Sequence, residues 1–316
     1  MRLLMLQFNK FTIIGLLSGF FWAIDTILID YNISSINLFN FTILFSLSIA
    51  LLHDFFSSIW LLLYIIISKR TNVLIKSLKE KNNYIICLAA VSGGPIGMTC
   101  YMLGIYYGNS SIAATISTIY PALGCLFAYI FLKIKTRIIN FIGLIIVIIS
   151  TIYIGLNLES FSQLSLLGFL FSLGCATGWG LESTICSYAL KNKLDYNIAL
   201  LLRQSTSSII YLIIILFFYK TEIISIINII NSYSLISIIA AIAIFGTISY
   251  LFYYKSIDSL GPIKAMGLNI SYSAWAILLG SILGYGLSPL LLLISIIIIT
   301  GSLITNLKTK EDAIIK

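Results

Sequence analysis

Long uninterrupted runs of apolar residues recur along the whole chain, and they constrain its fold more than any other feature. Each run is roughly 20 residues long, enough for a helix to cross the hydrocarbon core of a bilayer. Only helices and closed barrels satisfy every backbone hydrogen bond in lipid, and these runs are continuous rather than alternating in polarity. Only 9% of the 316 residues are charged, against about 25% in ordinary soluble domains. The sequence therefore predicts an all-α polytopic membrane protein.

The sequence contains about ten candidate transmembrane helices. They lie near residues 11–30, 41–67, 84–108, 111–133, 138–156, 165–190, 197–219, 234–257, 262–284 and 287–306. The first run follows Arg2 and Lys10 and so mimics a signal peptide, but it is too long, has no small-residue cleavage site and is followed by further spans. We therefore interpret it as a retained first helix.

Basic residues cluster in alternate connections between the predicted helices and indicate a membrane topology. By the positive-inside rule, this pattern places both termini in the cytoplasm. The net charge is +8, but the bases are scattered over short loops, which argues against a nucleic-acid partner. The bases concerned are Lys69, Arg70, Lys76, Lys79, Lys81, Lys133, Lys135, Arg137, Lys191, Lys193, Lys255, Lys264, Lys308, Lys310 and Lys316, with Lys220 as the exception.

Two short strings far apart in the chain echo each other: residues 22–25 (WAID) and residues 179–182 (WGLE). Each places an indole one helical turn from an acid, because positions i and i+3 share a helix face. An ionised carboxylate inside an apolar run is costly and is functional by default. Four aromatic residues lie in such mid-membrane positions: Trp22, Tyr120, Trp179 and Tyr250. Any one of them taken alone is explained by packing or by a place at the membrane interface. Together with the acids they predict a central pocket for a cation.

The echoes belong to a longer internal similarity. Residues 53–58 (HDFFSS) resemble residues 203–208 (RQSTSS), and Tyr-Tyr pairs stand at 106–107 and 253–254. An odd number of helices in each half gives the halves opposite orientations in the membrane. We therefore predict two inverted five-helix repeats, residues 1–160 and 161–316, in one integral membrane unit with a site at their interface. The alternative is chance similarity between apolar segments.

The predicted helices are of two chemical kinds. The fifth and tenth consist mostly of Ile, Leu and Val and are expected to face lipid or a second subunit, as in a homodimer. The third, fourth, eighth and ninth carry Gly, Tyr, Ser, Thr and Asn along one face, a pattern that serves close helix packing or a pocket. Gly93-Gly94-Pro95 and Gly261-Pro262 are expected to disrupt regular helix at the entries to the third and ninth helices.

The ionisable residues inside the predicted helices have competing interpretations. Glu182 has no base nearby in its segment, which favours a functional role. Asp25 either serves the site or pairs with Arg203 or another helix. Arg203 and the His53–Asp54 pair either clamp helices together or contribute to the site.

The sequence does not carry the side chains that most enzymes and metal sites need. His53 is the only histidine, and the five cysteines lie in apolar segments without metal-ligand spacing. The GxSxG, P-loop and HExxH motifs are absent. We therefore predict no catalytic residue, no metal and no cofactor. An intramembrane transferase would need a catalytic cluster near the membrane surface.

Six short strings, spread over nearly the whole chain, match a known group of proteins. They are residues 94–98 (GPIGM), 117–122 (STIYPA), 179–183 (WGLES), 202–204 (LRQ), 248–254 (ISYLFYY) and 264–275 (KAMGLNISYSAW). With these strings the chain resembles the drug/metabolite transporter superfamily of the EamA type, and more closely its LicB-type bacterial choline permeases. The resemblance implies ten helices in two inverted halves, a bacterial inner membrane, and import of choline for phosphocholine decoration of surface glycopolymers.

The resemblance also implies a set of site residues. Carried over position by position, the substrate cage is Trp22, Tyr120, Trp179 and Tyr250 with Glu182 as the anionic partner, and Asn269 and Tyr272 contribute to the same pocket. The chemistry agrees, because a quaternary ammonium donates no ordinary hydrogen bond and must be selected by aromatic faces, at about 0.5–2 kcal/mol each, and by a carboxylate. Asn269 or Thr99 is the expected partner of the choline hydroxyl.

Two residues depart from the family pattern. Asp25 stands where the family has a small neutral residue, and Tyr101 replaces a smaller polar one. These changes either tighten the same cage, admit another cation such as a betaine or polyamine, or provide a proton site. The alternative function is import or export of another organic cation or an amino acid by the same fold. A receptor or structural protein would not need buried acids in both halves.

Overall fold

The computed structural model describes residues 10–33, 42–80, 83–107, 113, 116–156, 166–192, 194–232, 234–282 and 288–307. Every regular element in these ranges is helical, which confirms the all-α prediction for them. A π-helical turn, Ser92–Met98, joins α4 to α5. The α-helices are α1 Lys10–Ile33, α2 Thr42–Ile67, α3 Thr71–Leu78, α4 Asn83–Val91, α5 Thr99–Tyr107, α6 Tyr120–Leu132, α7 Ile138–Leu156, α8 Leu166–Lys191, α9 Tyr196–Phe218, α10 Ile223–Ser232, α11 Leu235–Leu260, α12 Pro262–Asn269, α13 Tyr272–Ile282 and α14 Pro289–Ile304.

Within the described ranges, six helical stretches are long and apolar enough to cross a membrane. They are Lys10–Ile29, Ile43–Ile67, Asn83–Gly104, Tyr196–Phe218, Leu235–Leu260 and Pro262–Ile282. Helices α6, α7 and α14 are shorter and also apolar. Helix α8 has 26 residues, as many as α2, but it carries Gly, Ser, Thr and Glu along its length. This is the architecture of a multi-pass membrane protein.

Each predicted transmembrane segment overlaps helix in the structure, and two of the segments are interrupted. The segment near 84–108 is divided by the π-helical turn, and the segment near 262–284 is divided between α12 and α13. Helices α3 and α10 lie between predicted segments and were not foreseen. Several sequence predictions concern positions outside the described residues: the start of the segment near 111–133, the junction of the repeats at 160–161, and Lys81, Lys193, Lys308, Lys310 and Lys316.

The glycine–proline string of the third segment lies in the middle of the helix, so the prediction that it marks the entry is wrong. Pro95 has no N–H and its ring crowds the carbonyl group four residues earlier, which widens the backbone into the π-helical turn. At the ninth segment the expected disruption is present. Gly261 has a φ of 86° and ends α11, and Pro262 begins α12.

Helix packing follows the same pattern in the two halves of the chain. Helix α1 packs on α11 and on the α12–α13 pair, and α8 packs on the α4–α5 segment and on α6. Helix α2 contacts α11, and α9 contacts α4. Helices α2 and α9 pack on each other, as do α7 and α14. These contacts thus occur in matching pairs, whereas the contact of α13 with α14 is not matched to the same extent by one of α6 with α7 among the described residues.

Large apolar side chains cover the outer faces of the bundle. Phe217, Ile67 and Ile138 are 79%, 77% and 74% exposed, an arrangement that is unfavourable in water and favourable in lipid. Helices α7 and α14 approach closely at Gly143 and Gly301, because an added Cβ on Gly143 would lie 2.7 Å from the Gly301 carbonyl oxygen. Their outer faces remain apolar and exposed, and contact of these faces with lipid or a second copy stays a prediction.

Candidate functional site

A cavity that is partly open to solvent lies between α1, α6, α8, α11, α12 and α13. Every substrate-binding residue predicted from the sequence lines this cavity, together with Ser249 and Tyr253. The lining residues are Trp22, Tyr120, Trp179, Glu182, Ser249, Tyr250, Tyr253, Asn269 and Tyr272. The structure thus brings the predicted residues to one place, and their part in binding stays a prediction.

Two edge-to-face aromatic pairs form walls of the cavity. The rings of Trp22 and Tyr250 have centroids 5.3 Å apart and an interplanar angle of 84°. The rings of Tyr120 and Trp179 have centroids 5.9 Å apart and an angle of 88°. Edge-to-face packing fixes the tilt of each ring and leaves at least one face of each free of its partner. Such faces are the chemical groups that attract an organic cation.

A hydrogen-bond network holds Asn269 at the cavity. The hydroxyl of Tyr120 donates to Oδ1 of Asn269 at 3.1 Å, and it lies 3.4 Å from the carbonyl oxygen of Met266, the alternative acceptor. Nδ2 of Asn269 donates to Oγ of Ser18 at 3.1 Å, and the hydroxyl of Ser249 donates to the Ser18 carbonyl oxygen at 2.8 Å. Asn269 ends α12, where the helix breaks before α13. Because an amide nitrogen has two N–H groups, one remains for a ligand hydroxyl.

Glu182 is 5% exposed, and its carboxylate is paired with Arg203. Nε of Arg203 donates to Oε1 at 2.6 Å and Nη2 donates to Oε2 at 3.3 Å. The hydroxyl of Tyr254 also donates to Oε1 at 3.4 Å. Burial of a carboxylate in an apolar bundle requires such pairing. The basic partner of Glu182 is therefore Arg203 of α9, and no basic residue close to Glu182 in the sequence indicated it.

Arg203 itself is 2% exposed and holds several groups together. Nη1 donates to Oδ2 of Asp54 at 3.2 Å and to Oε1 of Gln204 at 2.6 Å. Nη2 donates to the Tyr250 hydroxyl at 3.3 Å, and the guanidinium carbon lies 4.8 Å from the centroid of the Tyr250 ring. Arg203 therefore pairs with the carboxylate of Glu182 and packs on the ring of Tyr250, and both of these residues line the cavity.

Asp25 pairs with another helix rather than with Arg203. Nε2 of His53 lies 3.0 Å from Oδ1 of Asp25, and Nδ1 of His53 lies 3.6 Å from Oδ1 of Asp54. Asp25 is 2% exposed and does not line the cavity. Asp25, His53, Asp54, Arg203 and Glu182 form a continuous row of ionisable side chains across α1, α2, α9 and α8. The predicted clamps between helices are thus present, and Arg203 joins them to the cavity wall.

The π-helical turn makes room for two lining residues of α8. A Cβ atom on Gly93 would overlap the carboxylate of Glu182. A Cβ atom on Gly97 would lie 2.9 Å from Cδ1 of Trp179. The glycines at these two positions therefore allow α8 to bring its acid and its indole against the turn.

Thr99 and Tyr101 do not line the cavity. Oγ1 of Thr99 is buried and has no hydrogen-bond partner among the described residues. The ring of Tyr101 packs on Trp179 with centroids 5.7 Å apart and an interplanar angle of 33°. Tyr101 thus supports one wall of the cavity, and Asn269 is better placed than Thr99 to meet a ligand hydroxyl.

Comparison with known proteins places the chain in a family. Residues 10–156 match the EamA-like transporter family. The chain is 33% identical over 297 residues to Protein LicB of Haemophilus influenzae, in an alignment that covers 92% of this chain and 95% of that protein. The chain belongs to the EamA-like transporter family. A solved crystal structure with 12% sequence identity has a TM-score of 0.68 and covers 93% of this chain and 96% of its own, so the two proteins share a fold.

Membership of the EamA-like transporter family makes the chain a multi-pass membrane transporter, and the prediction that it is not an enzyme is confirmed. Within the part of the chain that the structure describes, no group of three or more His, Cys, Asp or Glu side chains is placed to hold a metal ion. The five cysteines are free.

Two lining residues of the transporter, Ser249 and Tyr253, were not predicted as site residues. Together with Tyr250 they occupy positions i, i+1 and i+4 of α11, which share one helix face. In the sequence Tyr253 belongs to a repeated Tyr-Tyr pair and to the string at residues 248–254. Helical spacing from Tyr250 reaches Tyr253 or Tyr254 and left the choice between them open.

Proposed function

We propose that this transporter imports choline or a closely related quaternary ammonium cation. The observation that carries the proposal is that six aromatic residues and Glu182 line one cavity. A quaternary ammonium has no N–H to donate, so ring faces, at about 0.5–2 kcal/mol each, and a nearby negative charge are the groups that hold it. The remaining N–H of Asn269 suits the single hydroxyl of choline. The resemblance to LicB-type permeases supports the same substrate.

The proposed architecture is ten transmembrane helices in two inverted five-helix repeats, residues 1–160 and 161–316, around this cavity. The matching contacts of α1 with α11 and of α8 with the α4–α5 segment support it. Each half contributes a tryptophan one turn from an acid, and the family match ends at residue 156, close to the proposed junction. Inverted repeats with a site between them are a recurrent transporter plan.

The proposed mechanism is alternating access. The two repeats rock about the cavity and close over the cation on one side before they open on the other. Transport requires the cation to bind the occluded state better than either open state, since a ligand shifts an equilibrium only by its difference in affinity. A monovalent cation is drawn inward by roughly 2.3 kcal/mol per 100 mV, so the membrane potential is sufficient to concentrate it.

The proposed location is a bacterial inner membrane with both termini in the cytoplasm. The bases of the α2–α3 connection and of the α6–α7 connection support this orientation. Imported choline would supply the phosphocholine decoration of surface glycopolymers. The outer faces of α7 and α14 would meet lipid or a second copy in a homodimer.

The test is uptake of labelled choline into bacterial cells that lack a choline permease. Wild type is expected to take up choline, and Trp179→Ala and Glu182→Gln are expected to lose most of this uptake. The matched controls are Trp60→Ala and Glu222→Gln. Trp60 donates to the Ala240 carbonyl oxygen away from the cavity, and Glu222 lies in the turn before α10. Absence of choline uptake by expressed wild type would refute the assignment of choline as the substrate. Outward flux of another organic cation or an amino acid would then support the alternative function.

A further inference from the structure

The protein itself uses most of the acceptor capacity of the Glu182 carboxylate at the cavity. Oε1 of Glu182 accepts from Nε of Arg203 and from the Tyr254 hydroxyl, which uses both of its lone pairs. Oε2 accepts from Nη2 of Arg203, and Gly93 lies directly against this oxygen. Three of the four lone pairs of the carboxylate thus accept hydrogen bonds, and the fourth lies on Oε2 beside Gly93.

Two other polar lining groups also accept hydrogen bonds from the protein. Oδ1 of Asn269 accepts from the Tyr120 hydroxyl, and the Tyr250 hydroxyl accepts from Nη2 of Arg203. The Ser249 hydroxyl donates to the Ser18 carbonyl oxygen and keeps its own lone pairs. The charged acceptor of the cavity is therefore largely used by the protein, and the acceptors left for a ligand are neutral oxygens.

This arrangement distinguishes between kinds of ammonium group. A primary ammonium loses three strong hydrogen bonds to water on entering the cavity and must replace them, because an unsatisfied buried donor is costly. A quaternary ammonium has no N–H group and loses none. Its methyl groups pack on the ring faces while the charge is attracted by the rings and by Glu182.

We propose that Arg203 is a specificity-determining residue, which makes the cavity select quaternary over primary ammonium groups by occupying the oxygens of Glu182. The inference rests on the proposed function, since it concerns which ammonium ligands the same cavity accepts. Arg203 acts through Glu182 and is in that sense a positioning residue. Asp54, Gln204 and Tyr250 hold its guanidinium in place.

The test uses four ligands that share a hydroxyl and a positive charge: ethanolamine, N-methylethanolamine, N,N-dimethylethanolamine and choline. Their affinities are measured by displacement of labelled choline from the purified full-length transporter in nanodiscs at pH 7. Wild type is expected to bind more tightly with each added methyl group. The expected preference for choline over ethanolamine is at least roughly thirtyfold, equivalent to about 2 kcal/mol.

Two variants free acceptor lone pairs of the Glu182 carboxylate in different ways. The double variant Arg203→Gln/Asp54→Asn removes one positive and one negative charge together and frees one lone pair on each oxygen of Glu182. Tyr254→Phe frees one lone pair of Oε1 and keeps the ring. The matched control is Arg70→Gln/Asp195→Asn, which removes an ion pair outside the cavity. We expect the preference to fall at least about fivefold in the double variant and by a smaller factor in Tyr254→Phe. The control is expected to keep the wild-type preference.

A purely structural role for Arg203 would weaken all four ligands by the same factor, and that result would overturn the proposal. A wild-type preference below about threefold would overturn it without any variant. If the double variant is not monodisperse, the preference of Tyr254→Phe decides, and an unchanged value counts against the proposal. Wild type that binds none of the four ligands refutes the proposed function itself, whereas choline binding with an unaltered preference in the variants refutes only the role of Arg203.

Discussion

Nε of Arg203 lies 2.6 Å from Oε1 of Glu182 and joins α9 to α8 at the wall of the cavity. The two residues do not depend on each other equally. Arg203 also holds Asp54, so it keeps a carboxylate partner when Glu182 is neutralised. Glu182 has only the Tyr254 hydroxyl left among its described side-chain partners when Arg203 is removed.

This asymmetry predicts the order of two stability changes. Arg203→Gln is expected to lower the free energy of unfolding by about 3–5 kcal/mol, because it leaves the buried carboxylate of Glu182 without a base and Asp54 with His53 alone among its described basic partners. Glu182→Gln is expected to cost less, since no unpaired charge remains. Thermal unfolding of the purified variants, followed by tryptophan fluorescence, measures both. A lower Tm for Glu182→Gln than for Arg203→Gln would contradict the described pairing.

Gly93 is expected to tolerate no side chain. Gly93→Ala places a methyl group where the Glu182 carboxylate lies, and we expect a loss of about 1–3 kcal/mol of stability from overpacking. Choline binding is expected to weaken as well, since Glu182 must move. The matched control is Gly174→Ala on α8, whose added Cβ would lie 3.1 Å from Sγ of Cys100. Equal Tm values and equal choline affinities for the two variants would refute the close approach at Gly93.

Tyr120 contributes a ring and a hydroxyl that separate variants can distinguish. Tyr120→Phe removes the donor to Oδ1 of Asn269 and keeps the ring, so we expect a loss of about 1 kcal/mol in binding. Tyr120→Leu also removes the ring face and is expected to cost a further 0.5–2 kcal/mol or so. Isothermal titration with choline gives both values. Equal affinities for the two variants would show that the ring does not contact the cation.

Asp195 has two roles at the start of α9. Its side chain accepts from the backbone N–H of Asn197 as an N-cap, and it pairs with Nη2 of Arg70 at 2.5 Å. Asp195→Asn keeps the cap and loses the pair, whose partners are partly exposed, so we expect a loss below about 1 kcal/mol. Asp195→Ala loses both and is expected to cost roughly 1 kcal/mol more. Thermal unfolding at low and high salt checks this, since only the ion pair is sensitive to salt.

Local periodicity predicted much of the fold and of the cavity. Trp179 and Glu182 share a face of one helix, and that spacing is visible in the sequence because helix geometry fixes it. The same argument placed Trp22 correctly, whereas its companion Asp25 pairs with His53 outside the cavity. Helical periodicity determines which face of a helix a residue lies on. It does not decide which neighbouring helix the residue meets.

The features that the sequence did not reveal arise from contacts between helices. The pairing of Glu182 with Arg203 depends on how α8 packs beside α9, and no spacing within either helix reports it. From the sequence, the helix disruption of the third segment was predicted at its entry, because glycine and proline together usually mark the end of a helix. A π-helical turn can instead lie within a helix, and that is its position here. The sequence shows a glycine at position 93, but only the close approach of Glu182 in the structure explains why a side chain is not accommodated there.

The most direct test of the central claim is the position of a bound quaternary cation. Arsenocholine, in which arsenic replaces the choline nitrogen, gives an anomalous X-ray signal from crystals of the transporter. We expect one peak within about 6 Å of the ring centroids of Trp22, Tyr120, Trp179 and Tyr250, reduced by competition with choline. A peak elsewhere, with the cavity empty at saturating ligand, would contradict the assignment of this cavity as the substrate site.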